Sequence, residues 1–171
     1  LTRSLDATVW AVNPTNDTLD SLMTYVCSHA EDFLKPAGIR CRMEIPDQVP
    51  DCPVAAALRH NVFLIVKEAL HNVVKHAQAR EVSLKMSIEA GELMLAVEDD
   101  GRGFPTDSPA AAGGESGAAS TPGIRGGNGL NNLRRRADSI GGTLRIRSGP
   151  GRGTRIELRV NVAAPSREVR G

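Results

Sequence analysis

The sequence lacks several features that would assign it to a particular class of protein. Its 171 residues contain no apolar run near the roughly 18 residues of a membrane-spanning helix, so no span is expected. Three cysteines without CxxC spacing argue against a disulfide framework or a zinc knuckle. A net charge of +1 argues against a nucleic-acid partner. Because aromatic residues make up only 3%, the core has to be aliphatic.

The first residues do not show the pattern of a signal peptide. The opening LTRSLDATVW has neither a basic start nor a long apolar stretch, so we expect a cytoplasmic domain, with membrane attachment of the parent protein left open. Residues 1–13 have helical spacing that Pro14 ends. A helix that starts at the first residue suggests that the chain was cut from a longer protein.

Glycine, by contrast, is abundant, and most of the 17 glycines follow residue 100. Residues of about 105–127 are rich in Gly, Ala, Ser and Pro and are long for a loop inside a compact domain. We therefore expect a functional lid over this stretch. Residues 164–171 show no pattern and are expected to form a flexible tail.

Hydrophobic periodicity supplies the secondary structure. A period near 3.6 predicts helices over about 19–36, 54–77 and 129–140. Alternation predicts strands over about 39–45, 82–88, 93–97, 143–148 and 154–162. Helices on one face of the sheet satisfy this order. The fold predicted is an α/β (α+β) two-layer sandwich whose mixed, mostly antiparallel sheet is covered on one face by helices.

Polar residues follow one edge of the helix at 54–77. Glu68, Asn72 and His76 are spaced by four residues and form one row, with Lys75 beside it. A carboxylate, an amide and cationic donors could together hold a metal–phosphate group. An ordinary solvated face with a helix ion pair is the alternative.

Two further motifs could contact a ligand. Asp99 follows a buried strand, where it could accept a hydrogen bond from an exocyclic amine. Gly101 and Gly103 would let the backbone approach a flat ligand closely or adopt positive φ. The sequence GGNGL at 126–130 opens a helix, which is a natural phosphate cradle. A plain Asp-Gly turn and lid hinges are the respective alternatives, and no Walker A or Rossmann fingerprint is present.

Taken in order, these motifs resemble one family. EALHNVVKH, DDGRGF, the Gly-rich lid, GNGLNNLRRRA and GPGRGTRIEL are similar to the catalytic ATP-binding domain of sensor histidine kinases, in the gyrase–Hsp90–histidine kinase–MutL superfamily with its Bergerat-type fold. The opening LDATVWAVNPTNDTLDSL resembles the junction in kinases that signal to LuxR/NarL-type response regulators. The resemblance implies the end of a dimerisation helix and a junction at 1–16, and an ATP-binding domain at 17–163.

The resemblance also implies ATP and Mg²⁺ as cofactors. It makes Glu68 and Asn72 catalytic, with Asn72 as the metal ligand, and places Lys75 and His76 at the phosphate-facing end of the same box.

The remaining implied contacts surround the nucleotide. Asp99 matches the aspartate that bonds the adenine amine, and Thr154 matches the threonine beside it. Other residues match those that shape the purine pocket or lie by the triphosphate: Gly101 and Gly103 in the first group, Gly127, Gly129 and Leu130 in the second.

No histidine resembles the phospho-acceptor of the family. His29, His60, His71 and His76 all lie in other contexts, so this chain is not expected to phosphorylate itself. The implied reaction passes the ATP γ-phosphoryl group to a histidine on the dimerisation domain of the parent kinase, for onward transfer to a response regulator. Two alternatives stay open: a superfamily ATPase in which Glu68 orients water, and a non-catalytic nucleotide-binding module.

Overall fold

The computed structural model describes residues 9, 10, 13, 15, 17–105 and 127–162. Most of the predicted helix at 1–13, nearly all of the predicted lid and the tail at 164–171 lie outside these residues. Within them, the main helices are α1 (Leu19–Leu34), α2 (Ala56–Asn72) and α3 (Gly127–Ser139). The strands are β1 (Arg40–Glu44), β2 (Glu81–Glu89), β3 (Glu92–Asp99), β4 (Thr143–Ser148) and β5 (Thr154–Asn161).

The five strands form one sheet in the order β1-β2-β3-β5-β4. β1 pairs with β2 in parallel, and the other three pairings are antiparallel. The turn between β2 and β3 consists of Ala90 and Gly91, whose φ angles of 50° and 80° suit a tight hairpin. The prediction of a mixed, mostly antiparallel sheet is confirmed.

Alternation along the strands separates a buried face from a charged one. Leu93, Leu95 and Val97 of β3 lie in register with buried or partly buried apolar residues of β2 and β5 and pack with the helices in one hydrophobic core. The opposite face carries ion pairs, such as that of Arg155 with Glu98 at 3.0 Å. The core is aliphatic, as the low aromatic content requires. Its largest fully buried side chains are Leu19, Leu22, Leu34, Ile65, Leu70, Leu84, Leu93, Leu95, Leu133, Leu158, Val26 and Val62.

The helices begin and end where local chemistry dictates. Thr18 caps α1, because its hydroxyl accepts a hydrogen bond from the Ser21 N–H at 3.2 Å. The predicted α-helix through residue 77 needs a correction, since α2 ends at Asn72 and continues as a π-helical turn, Val73–Ala77. Along the described part of the chain, no helix has the length and apolar character needed to cross a membrane.

Candidate functional site

The end of β3 places one carboxylate on the buried side of the sheet. Residues 93, 95, 97 and 99 share a face, so Asp99 continues the core-facing row and is only 6% exposed. Its register partners are Val82 on β2 and Thr154 on β5. A charged group therefore stands where the alternation would otherwise put an apolar side chain.

The Asp99 carboxylate accepts a backbone hydrogen bond and is shielded from solvent. The Gly101 N–H donates to its Oδ1 at 2.8 Å. Burial raises the pKa of Asp99, and the charges of Asp100 and Glu98 act in the same direction. Backbone hydrogen bonds from Gly101 and Thr154 oppose that rise in pKa. Such a carboxylate is a strong acceptor for a ligand N–H and is a candidate binding group.

The glycines after Asp99 are required by the protein's own backbone. A Cβ on Gly101 would overlap the carbonyl oxygen of Ala77, and a Cβ on Gly103 would overlap that of Gly149. Gly103 also has a φ of 59°, as the sequence suggested. These close approaches set the path of the loop after β3. The predicted approach of the glycines to a flat ligand remains a prediction.

A second group of polar residues lies where α2 meets the start of α3. A Cβ built on Gly129 would lie 3.0 Å from Glu68 Oε1 and 3.8 Å from Asn72 Oδ1. The first turn of α3, which starts at Gly127, therefore lies against two oxygen-bearing side chains of α2. Leu130 packs partly buried against the core and so holds α3 in place. Its predicted nucleotide contact remains a prediction.

The π turn changes the geometry of the predicted polar row. Its hydrogen bonds run over five residues instead of four, so the step from Asn72 to His76 no longer follows α-helical rotation. Lys75 and His76 are both exposed on this turn. They keep their freedom to reach an anion, while Glu68 and Asn72 are half-buried.

The donor set suits a magnesium–phosphate group better than a metal held by protein alone. Amide and carboxylate oxygens, as on Asn72 and Glu68, are ligands that Mg²⁺ accepts. Over the described ranges, no cluster of three or more His, Cys, Asp or Glu could hold a metal ion. Since Mg²⁺ is usually bound through one or two protein ligands plus water and substrate phosphates, the residues present fit a metal that arrives with a nucleotide.

Sequence reasoning missed two polar residues at this end of the sheet. Ser148 Oγ accepts from the Phe104 N–H at 2.9 Å and lies 2.9 Å from Thr154 Oγ1. Strand pairing could have found it, because Ser148 is the register partner of Thr154. Asp100 accepts two backbone hydrogen bonds from residues 80 and 81, and no local pattern signals that contact.

Gly129→Val tests the approach of α3 to α2. Because its side chain would press on Glu68 and Asn72, we expect about tenfold weaker Mg·ATP binding, within the 1–3 kcal/mol typical of overpacking. Titration calorimetry with Mg·ATP measures the change. Asp138→Val, at an exposed position near the other end of α3, is the control. Unchanged binding in Gly129→Val would contradict a ligand site at this contact.

Comparison with known proteins identifies the family and several sequence relatives. Residues 58–164 match the family described as "Histidine kinase-, DNA gyrase B-, and HSP90-like ATPase". Sensor histidine kinase LiaS of Bacillus subtilis (strain 168) is 32% identical over 120 residues, which cover 70% of this chain and 29% of LiaS. Sensor protein VraS of Staphylococcus aureus (strain COL) is 29% identical over 117 residues, covering 68% and 30% respectively. The chain thus spans about three tenths of the length of these curated relatives.

Among solved structures, the fold is similar to the histidine kinase domain from the Erythrobacter litoralis EL346 blue-light activated histidine kinase. The TM-score is 0.62 at 24% identity, with 82% of this chain and 61% of that chain covered. At this identity the likeness concerns the fold alone. It confirms the predicted α/β sandwich.

Proposed function

The chain belongs to the histidine kinase-, DNA gyrase B- and HSP90-like ATPase family, and from that premise we propose that it binds Mg·ATP and transfers the γ-phosphoryl group to a histidine on a dimerisation domain outside this chain. The observation that carries the proposal is the buried carboxylate of Asp99 at the end of β3, beside the contact of the π turn with the loop after β3. The histidine kinase names of the sequence relatives favour transfer over hydrolysis.

On the adenine side, the chain's own groups would select the base. Asp99 would accept a hydrogen bond from the exocyclic amine of adenine, and Thr154 lies in register beside it. Guanine carries a carbonyl where adenine carries that amine, which would put two acceptors face to face. We therefore expect ATP to bind much better than GTP.

On the phosphate side, the proposed contacts are oxygen ligands, cations and the start of a helix. Asn72 would hold Mg²⁺ through its amide oxygen, and exposed Lys75 and His76 would approach the phosphates. Gly129 lies near Glu68 and Asn72, so the first turn of α3, which starts at Gly127, would offer its N-terminal N–H groups to the phosphates. Glu68 is the acidic group at this end and would orient the attacking group. Bound Mg²⁺ would supply charge neutralisation on the triphosphate.

The proposed phosphoryl transfer implies two protein partners. The accepting histidine would belong to the dimerisation domain of the parent kinase, and a response regulator would receive the phosphoryl group next. The LuxR/NarL type of that regulator is the finer part of the proposal and is supported by the junction-like residues at the start of the chain. We also propose that residues 1–16 form the end of the dimerisation helix and the junction, and that residues 17–163 form the ATP-binding domain.

Direct binding measurements test the nucleotide part of this proposal. We expect the chain to bind ATP in the presence of Mg²⁺, with weaker binding after chelation of the metal, because the two half-buried oxygen ligands need the cation to tolerate a triphosphate. Calorimetric titration with and without EDTA provides the comparison, and GTP is the matched control ligand. A chain that binds neither ATP nor its magnesium complex would overturn the proposal.

A further inference from the structure

A carboxylate at the end of β3 fastens the loop after β3 to the start of β2. Asp100 Oδ1 accepts hydrogen bonds from the backbone N–H groups of Arg80 at 2.8 Å and Glu81 at 2.9 Å. The Asp100 N–H donates in turn to the Glu81 carbonyl oxygen at 3.3 Å. Asp100, the residue after Asp99, thus links the end of β3 to the start of β2.

Backbone contacts extend this connection in both directions. The Arg102 N–H donates to the carbonyl oxygen of Ala77, the last residue of the π turn, at 2.7 Å. The Arg102 carbonyl accepts from the Gly151 N–H at 2.7 Å, in the turn before Thr154. Gly101 packs so closely on Ala77 that a side chain there would not fit. The π turn, the loop after β3 and the β4–β5 turn are therefore bonded to one another.

The adjacent aspartates have different surroundings. Asp99 is buried in the core-facing row, whereas Asp100 is exposed and accepts its two N–H groups at the surface. Those backbone hydrogen bonds lower the pKa of Asp100, with the bond from Glu81 contributing most. At neutral pH Asp100 is an ionised acceptor, so the two N–H groups are firmly held.

We propose that Asp100 is a positioning residue for nucleotide selection, which holds the adenine-binding Asp99 in fixed relation to the start of β2 and to the π turn that precedes it. The inference rests on the proposed function, because it assigns the adenine contact to Asp99. Loss of the Asp100 carboxylate would free the N–H groups of Arg80 and Glu81 and let the loop shift against Ala77. Asp99 would then meet the base less accurately, and selection between adenine and guanine would suffer.

Asp100→Ala is the test variant, with ATP and GTP affinities both measured by calorimetry. We expect ATP binding to weaken by roughly tenfold, with a smaller change for GTP, so that selectivity falls. Asp100→Asn should largely restore both values, because both hydrogen bonds use the single oxygen Oδ1, which an amide keeps. If Asp100→Ala does not fold, Asp100→Ser serves instead, since its shorter side chain cannot reach both N–H groups in the same way.

Thr18→Ala is the matched structural control. It removes another side-chain acceptor of a backbone N–H, at the start of α1, and should leave ATP-over-GTP selectivity unchanged. A folded Asp100→Ala with wild-type selectivity, or an Asp100→Asn as poor as the alanine variant, would overturn the inference. If Asp99→Asn weakens binding while Asp100→Ala does not, only this inference fails. If the wild-type chain binds no ATP, the proposed function fails.

Discussion

Asp99→Asn is expected to weaken Mg·ATP binding by roughly 10- to 150-fold, the equivalent of the ~1.5–3 kcal/mol typical of a hydrogen bond to a charged group. Asn keeps an Oδ1 that can accept from the Gly101 N–H, so the loop after β3 should keep its path. The amide can, however, point a donor at the donor of adenine. Calorimetry with ATP measures the loss, and Asp138→Asn, an exposed exchange of the same type, is the control.

The same substitution should not destabilise the protein without ligand. Burial raises the pKa of Asp99 above its usual 3.8, so the folded chain holds this proton to a higher pH than the unfolded chain does. The stability that the protonated form contributes is present below pH 3.8 and is lost as the pH rises through the raised pKa. At pH 7 the ionised Asp99 therefore lowers the stability of the folded chain, and substitution by Asn removes that unfavourable contribution.

Chemical denaturation of the wild type and Asp99→Asn at several pH values checks the direction of this stability difference. Asp99→Asn should be at least as stable as the wild type at pH 7, and any advantage should shrink as the pH falls towards the usual carboxyl range. ATP affinity of the wild type should also fall on acidification, because protonation removes the negative charge that makes Asp99 a strong acceptor. A marked loss of stability at pH 7 in Asp99→Asn would mean that the carboxylate serves the fold instead of a ligand.

Much of the fold and the position of Asp99 could be predicted from local patterns. Asp99 follows the apolar run at 93–97, which predicts a carboxylate at the end of a buried strand. The structure adds that Asp99 faces inward with Leu93, Leu95 and Val97. The strands and helices predicted from periodicity between residues 19 and 162 appear near their expected bounds, except that the α-helix predicted through residue 77 ends at Asn72. The order of the motifs then indicated the family, which the profile match over residues 58–164 shows.

The remaining features depend on contacts between distant parts of the chain. The apolar spacing of Val73, Val74 and Ala77 is compatible with either an α- or a π-helical turn, so the change after Asn72 left no signal in the sequence. Asp100 looked like half of an ordinary Asp-Gly turn, yet its partners lie 19 and 20 residues earlier.

Proximity of Gly129 to Glu68 likewise depends on how α3 packs. Only the resemblance to a family suggested that these residues meet, since spacing alone cannot place two helices against each other across an unpatterned stretch of sequence. Gly101 was predicted to lie close to a flat ligand. The structure shows instead why glycine is needed there for the fold, because the Gly101 backbone packs against Ala77.

Asn72→Asp is expected to reduce phosphoryl transfer by roughly tenfold or more when this chain is mixed with labelled ATP and the dimerisation domain of its parent. The variant keeps an oxygen ligand, but it adds a negative charge beside the triphosphate and removes the amide donor. Asn61→Asp, the same exchange earlier on α2, is the matched control. Equal labelling by Asn72→Asp and the wild type would remove Asn72 from the site.

Glu68→Gln separates transfer from hydrolysis in the same assay. If Glu68 only orients the accepting histidine, some transfer should survive in the variant, and the wild-type chain alone should turn over little ATP. Robust ATP hydrolysis by the chain alone that Glu68→Gln abolishes would instead make it an ATPase. Self-labelling is not expected, because none of the four histidines lies in the sequence context of the family's phospho-acceptor. Two of them are also packed between α1 and α2, with the His29 ring edge-on to Phe63 at 4.8 Å and the His71 ring stacked near Phe33 at 6.1 Å. A stable phosphohistidine on any of the four, His29 and His60 included, would contradict an acceptor that lies outside this chain.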